Sequence, residues 1–240
     1  MKISFNTYQP QFKSSSSFYK TETGKEIGTF TWFFRNDLLW DDFTKFQLEH
    51  FKDKKNVNVI QFGASDGTEA YTYIISMLET DNEAAEKFFP LKAYDINDSM
   101  VRVTKSGYIH IYPDDETKMA AKGIGWRKYF RRPETEPYQY VASTLYSPKS
   151  RLNERVDFMQ GDMFKLLPNI KDESNTVLLC RNCLGYFPES IEQFIKTAAQ
   201  VLKKDSLFVI GLLEKDEPYF EEVMHMNNFQ KVMQNVFKKL

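Results

Sequence analysis

The sequence lacks several features that would define its class at once. It has no marked charge excess, because 32 Lys and Arg stand against 33 Asp and Glu in 240 residues, a formal net charge of -1. No overall attraction to nucleic acid or to a membrane surface follows from that balance. No apolar run is long enough to span a membrane, and the N-terminus lacks the apolar core of a signal peptide. A cytoplasmic protein without membrane insertion is therefore expected.

Cysteine and histidine are also scarce, with two and three residues respectively. Both cysteines stand in "VLLCRNCLGYF" (residues 177–187), in the C-x-x-C spacing of thiol redox sites. The flanks of the spacer "RN" are typical of a strand that ends, and not of a helix that opens on a thiolate. Zinc needs about four ligands, and the histidines show no ligand spacing. We predict no metal site and interpret Cys180 and Cys183 as small, partly buried apolar residues.

What the sequence does contain is an alternation of strand and helix patterns. Short runs rich in β-branched residues predict strands over residues 56–62, 91–96, 175–180 and 206–213. Apolar residues at helical spacing follow the first run and separate the last two. This alternation is typical of an α/β fold with a parallel, doubly wound sheet. The end, "NFQKVMQNVFKKL", predicts two short strands around "QN", an antiparallel hairpin at the edge of the sheet, with a helix as the alternative.

Sheets of this kind bind ligands beyond the carboxyl ends of their strands, so the residues that follow each strand are the candidate site. Small residues after the first strand would let a ligand approach the backbone, next to a helix start with free N–H groups. Asp95 ends the second strand, where an acid accepts from a ribose diol. Asp162 and the pair Arg181 and Asn182 end two further strands. The small residues are Gly63, Ala64, Ser65 and Gly67.

The turn after the first strand restricts the choice of ligand. A nicotinamide-binding sheet would carry G-x-G-x-x-G, whereas "GASDGTEA" supplies only Gly63 and Gly67. A phosphate-binding P-loop would need G-K-[ST], which is also missing. What remains is a nucleoside without phosphates whose ribose still needs the acid, and S-adenosylmethionine is such a cofactor.

Six segments, from about Gly28 to the C-terminus, resemble successive motifs of the chemotaxis-receptor methyltransferase (CheR) family. They are "GTFTWFFRND", "FGASDGTEAYTY", "AYDINDSMVRVTKSGYI", "RKYFRR", "GDMF" and "LLCRNCLGYF". The last segment is nearly diagnostic, because the family carries C-R-N-x-x-x-Y-F at this place. The resemblance implies a Rossmann-like class I methyltransferase sheet, S-adenosylmethionine as cofactor, and carboxyl O-methylation of glutamate in a protein.

The resemblance also implies roles at the methionyl and ribose ends of the cofactor. Thr31 and Arg35, which match T-x-F-F-R, would lie over the cofactor, with the Arg35 guanidinium near the methionyl carboxylate. Glu69 matches the acid that receives the methionyl ammonium. Asp95 matches the acid that binds the ribose.

The remaining roles concern the adenine and the reacting methyl group. Asp162 and Met163 lie where the family holds the adenine with an Asn-Leu pair. Arg181 and Tyr186 match residues that line the methyl-transfer site, and they are the catalytic candidates. Asn182 is expected among the cofactor-binding residues.

The chain departs from the family at its beginning. The family proper starts with a helical domain that often contacts the receptor, whereas only 30 residues precede Thr31 here. We expect most of that domain to be lacking, with residues 1–50 as a short segment that packs over the cofactor site. Residues 51–240 would form the methyltransferase domain. The family inserts a small antiparallel subdomain at a place that corresponds to about residues 107–157 here.

A basic cluster in "KGIGWRKYFRR" is compatible with attraction of an acidic protein segment, the expected methyl acceptor. A solvated charged face is equally compatible, and nucleic acid ranks lowest because the whole chain is not basic. Two functions stay open. One is a methyltransferase acting on protein glutamate, or on a small-molecule or nucleic-acid acceptor. The other is a non-catalytic, S-adenosylmethionine-binding adaptor. The basic residues are Lys122, Arg127, Lys128, Arg131 and Arg132.

Overall fold

The computed structural model describes residues 18–21, 24–29, 31–133, 143–170, 174–215 and 219–240. The chain divides into two compact units, Met1–Phe30 and Thr31–Leu240. In the first unit, β1 (Phe18–Lys20) and β2 (Glu26–Gly28) form an antiparallel pair. The division falls after residue 30, so residues 31–50, which we expected in the N-terminal segment, belong to the larger unit.

The larger unit contains the strands and helices of an α/β fold. Its strands are β3 (Val57–Phe62), β4 (Leu91–Asp95), β5 (Ile109–Ile111), β6 (Phe130–Arg131), β7 (Thr144–Pro148), β8 (Val156–Gln160), β9 (Asn175–Cys180), β10 (Leu207–Ile210), β11 (Phe229–Met233) and β12 (Val236–Lys239). Its α-helices are α1 (Trp40–His50), α2 (Thr68–Thr80), α3 (Asn82–Ala85), α4 (Asp98–Lys105), α5 (Pro113–Ala121), α6 (Ser150–Asn153), α7 (Met163–Leu166), α8 (Ile191–Val201), α9 (Leu212–Lys215) and α10 (Phe220–Met226). None of the helices in the described ranges is long and apolar enough to cross a membrane.

A seven-stranded sheet forms the centre of this unit, with strand order β11-β12-β10-β9-β3-β4-β8. The strands from β10 to β8 run parallel, and β12 pairs antiparallel with both β10 and β11. The parallel sheet and the C-terminal hairpin confirm the predicted fold class.

Helices cover both faces of the sheet because side chains of a strand alternate between its two faces. Val59 of β3 lies in one buried cluster with Phe43 of α1 and Ile74 of α2. Ile60, its neighbour in β3, lies in a second cluster with Phe194 of α8. The central strands are therefore buried on both sides, as expected of a doubly wound sheet.

The segment between β4 and β8 carries a second, smaller sheet. Strand β7 pairs antiparallel with β5, where Ile109 lies opposite Tyr146, and with β6, where Phe130 lies opposite Pro148. Within the expected insertion, the stretch "EPYQYVASTLYS" is a candidate for strands, but its residues 136–142 lie outside the described part of the chain. Its remaining residues lead into and form most of β7.

One strand is shorter than the sequence predicts. Strand β10 ends at Ile210, whereas we expected it to continue to residue 213. The backbone N–H of Gly211 donates to the Glu214 carboxylate at 2.9 Å, and Leu212–Lys215 forms the short helix α9. Apolar Leu212 and Leu213 extended the strand pattern, but the bonds to Glu214 turn the chain away from the sheet.

The order of the strands defines where a ligand would bind. From β3 the chain continues to β4 and β8 on one side, and then crosses to β9 on the other side of β3. The topological switch point therefore lies between β3 and β9, where Phe62 is opposite Cys180. Sheets of this type bind ligands at the carboxyl ends of the strands at this point.

Candidate functional site

The turn between β3 and α2 forms one side of the site. Gly63 and Gly67 have positive φ angles of 70° and 86°, which glycine adopts without strain. The N–H of Gly67 donates to the carbonyl of Ala64 at 2.9 Å, which closes the turn. A Cβ at Gly67 would lie only 2.7 Å from the Phe158 ring. The turn thus requires glycine, and it directs the start of α2 toward the strand ends.

Asp95, at the end of β4, binds this turn. Its Oδ2 accepts the N–H of Ser65 at 2.7 Å, and its Oδ1 accepts the N–H of Asn97 at 2.8 Å. Burial raises the pKa of Asp95, while these two hydrogen bonds oppose the rise. The structure therefore brings together two predicted site residues from neighbouring strands.

Arg181 follows β9, across the switch point, and its guanidinium is enclosed. Nη1 donates to Oε2 of Glu69 at 2.7 Å, and Nη2 donates to Oδ1 of Asp37. The guanidinium carbon lies 4.8 Å from the centre of the Trp40 ring. Because the side chains of Arg181 and Asp37 are fully buried, these charges are held away from solvent and depend on one another.

Glu69 stands in the first turn of α2, where the charges of Arg181 and Arg35 both act on its carboxyl. Burial raises the pKa of its carboxyl, and the positive charges of Arg181 and Arg35 oppose that rise. The Arg35 guanidinium carbon lies 4.4 Å from the centre of the Trp32 ring. Thr31 is half-buried, and no hydrogen bond joins it to these residues in the described part of the chain.

Asn182 connects the segment after β9 with the start of α9. Its backbone is left-handed, with φ of 56°. Its Nδ2 donates to Oδ2 of Asp37 at 3.0 Å, and its Oδ1 accepts the N–H groups of Leu212 at 2.9 Å and Leu213 at 3.2 Å. A Cβ at Gly211 would overlap the Asn182 amide at 2.3 Å, so this close contact requires glycine.

Glu214 of α9 holds the same segment from the other side. Its carboxylate is fully buried and accepts hydrogen bonds from five backbone N–H groups. The donors belong to Asn182, Cys183, Leu184, Gly185 and Gly211, at 2.8 to 3.1 Å. A buried carboxylate is stable only when its oxygens are satisfied in this way. Half-buried Tyr186 lies on the turn that these bonds position.

Asp162 and Met163 follow β8, next to the end of β4 where Asp95 lies. The N–H of Gly161 donates to the Asp95 carbonyl at 2.9 Å. Asp162 caps α7, where its Oδ1 accepts the N–H of Phe164 at 2.9 Å. Met163 packs in the apolar cluster that lies on the α8 face of the sheet.

The two cysteines are free thiols, with their sulfur atoms 3.3 Å apart. Burial raises the pKa of Cys180, and the bond to Cys180 together with burial raises that of Cys183. Neutral thiols are weak nucleophiles and weak metal ligands. In the described ranges no three His, Cys, Asp or Glu side chains are grouped to hold a metal ion.

The sequence model of one family, CheR methyltransferase, S-adenosylmethionine binding domain, matches residues 29–232. This chain belongs to the CheR methyltransferase family. The match confirms the resemblance seen in the sequence motifs, and with it S-adenosylmethionine as the cofactor. No curated protein matches this CheR-family sequence.

Several solved structures are distantly similar to this CheR-family chain. The YcgJ protein of Bacillus subtilis is 13% identical, with a TM-score of 0.41, and the match covers 79% of this chain and 70% of that chain. The precorrin-8w decarboxylase of Methanobacterium thermoautotrophicum is 13% identical, with a TM-score of 0.40 and coverages of 79% and 72%. The plantazolicin methyltransferase BpumL is 16% identical, with a TM-score of 0.38 and coverages of 78% and 54%. These similarities are too distant to support a conclusion about this chain.

The residues at the switch point fit the cofactor of the CheR family. Each oxygen of Asp95 accepts one backbone hydrogen bond and can accept a second, which leaves room for a ribose hydroxyl. Gln61, on β3, is fully buried, and its Nε2 donates to Oε1 of Glu69 at 3.3 Å. Its Oε1 has no hydrogen-bond partner among the described residues. An unsatisfied acceptor beside a carboxylate suits an ammonium group, such as the one on the methionyl part of the cofactor.

Three residues of this CheR-family site were missed from the sequence: Asp37, Gln61 and Glu214. Asp37 stands two positions after Arg35 in "RND", and this closeness to a predicted site residue could have identified it as a candidate. Glu214 was missed because the predicted strand extended to residue 213. A strand that ended at Ile210 would have shown Glu214 as an acid shortly after a strand, like Asp95 and Asp162. Gln61 lies inside a strand, where nothing in a single sequence distinguishes a site residue from a buried polar one.

Proposed function

We propose that this CheR-family protein methylates a glutamate carboxylate in an acidic protein segment, forming a methyl ester. The coarser activity, S-adenosylmethionine-dependent methyl transfer, follows from the family. The acceptor is inferred from the buried acids Asp37, Glu69 and Glu214, which accept hydrogen bonds from buried donors and are poorly placed to remove a proton. A carboxylate is ionised at neutral pH and needs no base, whereas an amine would.

The ionisable groups at the switch point support this choice of acceptor. The pKa values of both thiols are raised. The carboxylates of Asp37, Glu69 and Glu214 accept hydrogen bonds from buried donors. These acids hold Arg181 and the turn after β9 in place, and they are therefore poorly placed to take a proton from an acceptor.

The histidines lie elsewhere in the fold. Nε2 of His50 is 2.8 Å from the carbonyl of Asp205, at the amino end of β10 and opposite the switch point. His110 belongs to β5 in the smaller sheet, and exposed His225 belongs to α10. None of the three stands at a strand end that faces the switch point.

We assign the residues of this chain as follows. The cofactor supplies an electrophilic methyl group on a sulfonium, and Arg35, Glu69 and Asp95 would hold its methionyl carboxylate, ammonium and ribose. Asp162 and Met163 would lie along the adenine. Arg181 is a positioning residue in this scheme, because its guanidinium is enclosed by Asp37, Glu69 and Trp40.

Tyr186 remains the candidate for contact with the acceptor, because it is half-buried on the turn after β9. The protein contributes orientation and exclusion of water to a reaction between two ions.

The basic cluster supports an acidic partner only in part. Lys122 pairs with Asp41 at 2.9 Å, and Lys128 pairs with Glu79 at 2.8 Å, so two of its charges are compensated. Arg127 and Arg131 are exposed and make no ion pair with a described carboxylate. In this proposal these two arginines attract the acidic segment.

The test is transfer of a labelled methyl group followed by treatment with alkali. The protein is incubated with methyl-labelled S-adenosylmethionine and glutamate-rich peptides, or with cell lysate, and volatile methanol is collected after the pH is raised. Methyl esters release methanol under these conditions, whereas N-methyl and ether products do not. Alkali-stable label would exclude the ester but keep the enzyme. Cofactor binding without any transfer would favour a non-catalytic adaptor.

The proposed partner surface has its own test. Joint replacement Arg127→Glu and Arg131→Glu should raise KM for an acidic peptide several-fold and reduce the salt dependence, with little change in kcat. Lys196→Glu, on the exposed side of α8, is the control and should leave KM unchanged. An equal KM in both variants would remove this surface from the proposal.

A further inference from the structure

Gln61 is an unusual residue for the interior of this sheet. It lies in β3, its side chain is fully buried, and its strand neighbours on either side are apolar. Its Nε2 donates to Oε1 of Glu69 at 3.3 Å. Its Oε1 is unsatisfied among the described residues. A buried amide oxygen without a donor is unfavourable, so a bound group that donates a hydrogen bond to it would remove that penalty.

We propose that the Gln61 side-chain oxygen, together with Glu69, binds the amino group of the cofactor's methionyl part. This inference rests on the proposed function, because it deepens the assignment of the same site. An ammonium group has three donors and needs more than one acceptor. Glu69 gives one of them, because its Oε2 is already held by Arg181, while among the described residues its Oε1 accepts only the weaker bond from Gln61.

Charge explains why a neutral acceptor is suitable at this position. The negative charges of Asp37 and Glu214 already raise the pKa of Glu69, after the larger effect of its burial. A further acid at residue 61 would raise that pKa again and favour a protonated, uncharged Glu69. The amide of Gln61 adds a directed acceptor without adding a charge. It also donates to Glu69, which keeps the carboxylate in place.

The test compares two ligands that differ in the amino acid part. S-adenosylhomocysteine carries the amino group, whereas 5′-methylthioadenosine has the same nucleoside and thioether without it. Gln61→Met has a similar length and no strong acceptor. By calorimetry, it should lose about tenfold or more in affinity for S-adenosylhomocysteine, the range of a hydrogen bond to a charged group. Its affinity for 5′-methylthioadenosine should change less than twofold.

A second buried glutamine provides the matched control. Gln47 of α1 is also fully buried, but both ends of its amide are satisfied, by Sδ of Met77 at 2.9 Å and by the hydroxyl of Tyr73 at 2.9 Å. Gln47→Met should reduce the melting temperature and leave both affinities unchanged. A loss that is confined to Gln61→Met and to S-adenosylhomocysteine is the result expected.

Two other results would overturn the inference while the proposed function stands. One is an equal affinity of Gln61→Met and the unaltered protein for S-adenosylhomocysteine, as expected if a water molecule satisfies the Gln61 oxygen. The other is an equal loss for both ligands. If the unaltered protein binds neither nucleoside, the proposed function fails and this inference fails with it.

A measurement on the unaltered protein covers the case in which Gln61→Met does not fold. The side-chain amide signals of Gln61, assigned by NMR, should shift on addition of S-adenosylhomocysteine and stay in place on addition of 5′-methylthioadenosine. The signals of Gln47 should not move with either ligand. Equal shifts of the Gln61 signals with both ligands would contradict the inference.

Discussion

Nη1 of Arg181 lies 2.7 Å from Oε2 of Glu69, and this ion pair joins the segment after β9 to the first turn of α2. The Arg181 side chain is fully buried and that of Glu69 is 10% exposed. A pair in such a position is expensive to break, because removal of one charge leaves the other in a medium that solvates it poorly.

Arg181→Met should therefore destabilise the protein by about 3–5 kcal/mol, the range for one partner removed from a buried pair. We expect a value in the upper part of this range, because both Asp37 and Glu69 would lose the cation that they bind. Lys128→Met is the control, since its pair with Glu79 lies at the surface and should contribute about 1 kcal/mol or less. Urea unfolding of the two variants measures the difference, and similar values would contradict the assignment.

Glu214→Gln should loosen the turn after β9. The substitution replaces one acceptor oxygen with a donor, and because Oε1 accepts three of the five backbone N–H groups and Oε2 accepts two, at least two of them would face another donor. We expect a loss of about 1–3 kcal/mol and faster hydrogen exchange at Leu184 and Gly185. Glu192→Gln, which breaks a surface pair with Lys196 in α8, should do neither. Unchanged exchange rates in Glu214→Gln would mean that other contacts hold the turn.

Asp66 should make stability depend on pH. Burial raises its pKa from 3.8 to about 6, while its hydrogen bonds with Thr68 oppose the rise. The folded protein thus holds the Asp66 proton more tightly than the unfolded chain, and this contribution to stability falls as the pH rises from about 4 to 6. Asp66→Asn, which keeps the acceptor for Thr68, removes the effect.

We therefore expect Asp66→Asn to be more stable than the unaltered protein by up to about 3 kcal/mol well above pH 6, since each unit of pKa shift corresponds to about 1.4 kcal/mol. The advantage should shrink as the pH falls below 6 and vanish only below about pH 3, where Asp66 is protonated in both the folded and the unfolded state. Urea unfolding at several pH values checks this expectation. An advantage that is constant over the whole range would show that Asp66 titrates normally.

The two thiols should react slowly with alkylating reagents at pH 7.5. Their raised pKa values keep them neutral, and the thiolate is the reactive form. Mass spectrometry after treatment with iodoacetamide should show both modified only when urea unfolds the chain. Cys183→Ala should retain cofactor binding. Rapid modification of the folded protein, or bound zinc in it, would restore the thiol interpretation.

The sequence was sufficient for the parallel sheet because its strands are short apolar runs with clear ends. Strand β9 occupies the predicted residues, and β3 begins one residue later than predicted. The exception was β10, where Leu212 and Leu213 continue an apolar run that the fold uses as a helix. Local hydrophobicity could not show that a buried acid at position 214 would draw the backbone into a turn.

The candidate site was predictable only where it follows the strands. The Gly63 turn, Asp95 and Arg181 come after strand patterns, and the structure joins the first two and brings Arg181 to Glu69. The enclosure of Arg181 was not predictable, because Asp37 is 144 residues away in sequence. Such contacts depend on the packing of α1 against α2, which no single segment encodes.

Two side chains connect the turn after β9 with α9. The Asn182 side chain, on the turn, accepts an N–H at the start of α9, and the Glu214 side chain, on α9, accepts N–H groups of the turn. For protein engineers this makes the two segments one exchangeable module. A chimera that receives the turn after β9 from a relative, but keeps its own α9, would misplace the carboxylate or its donors. Altered acceptor specificity should therefore be sought by transplanting both segments together.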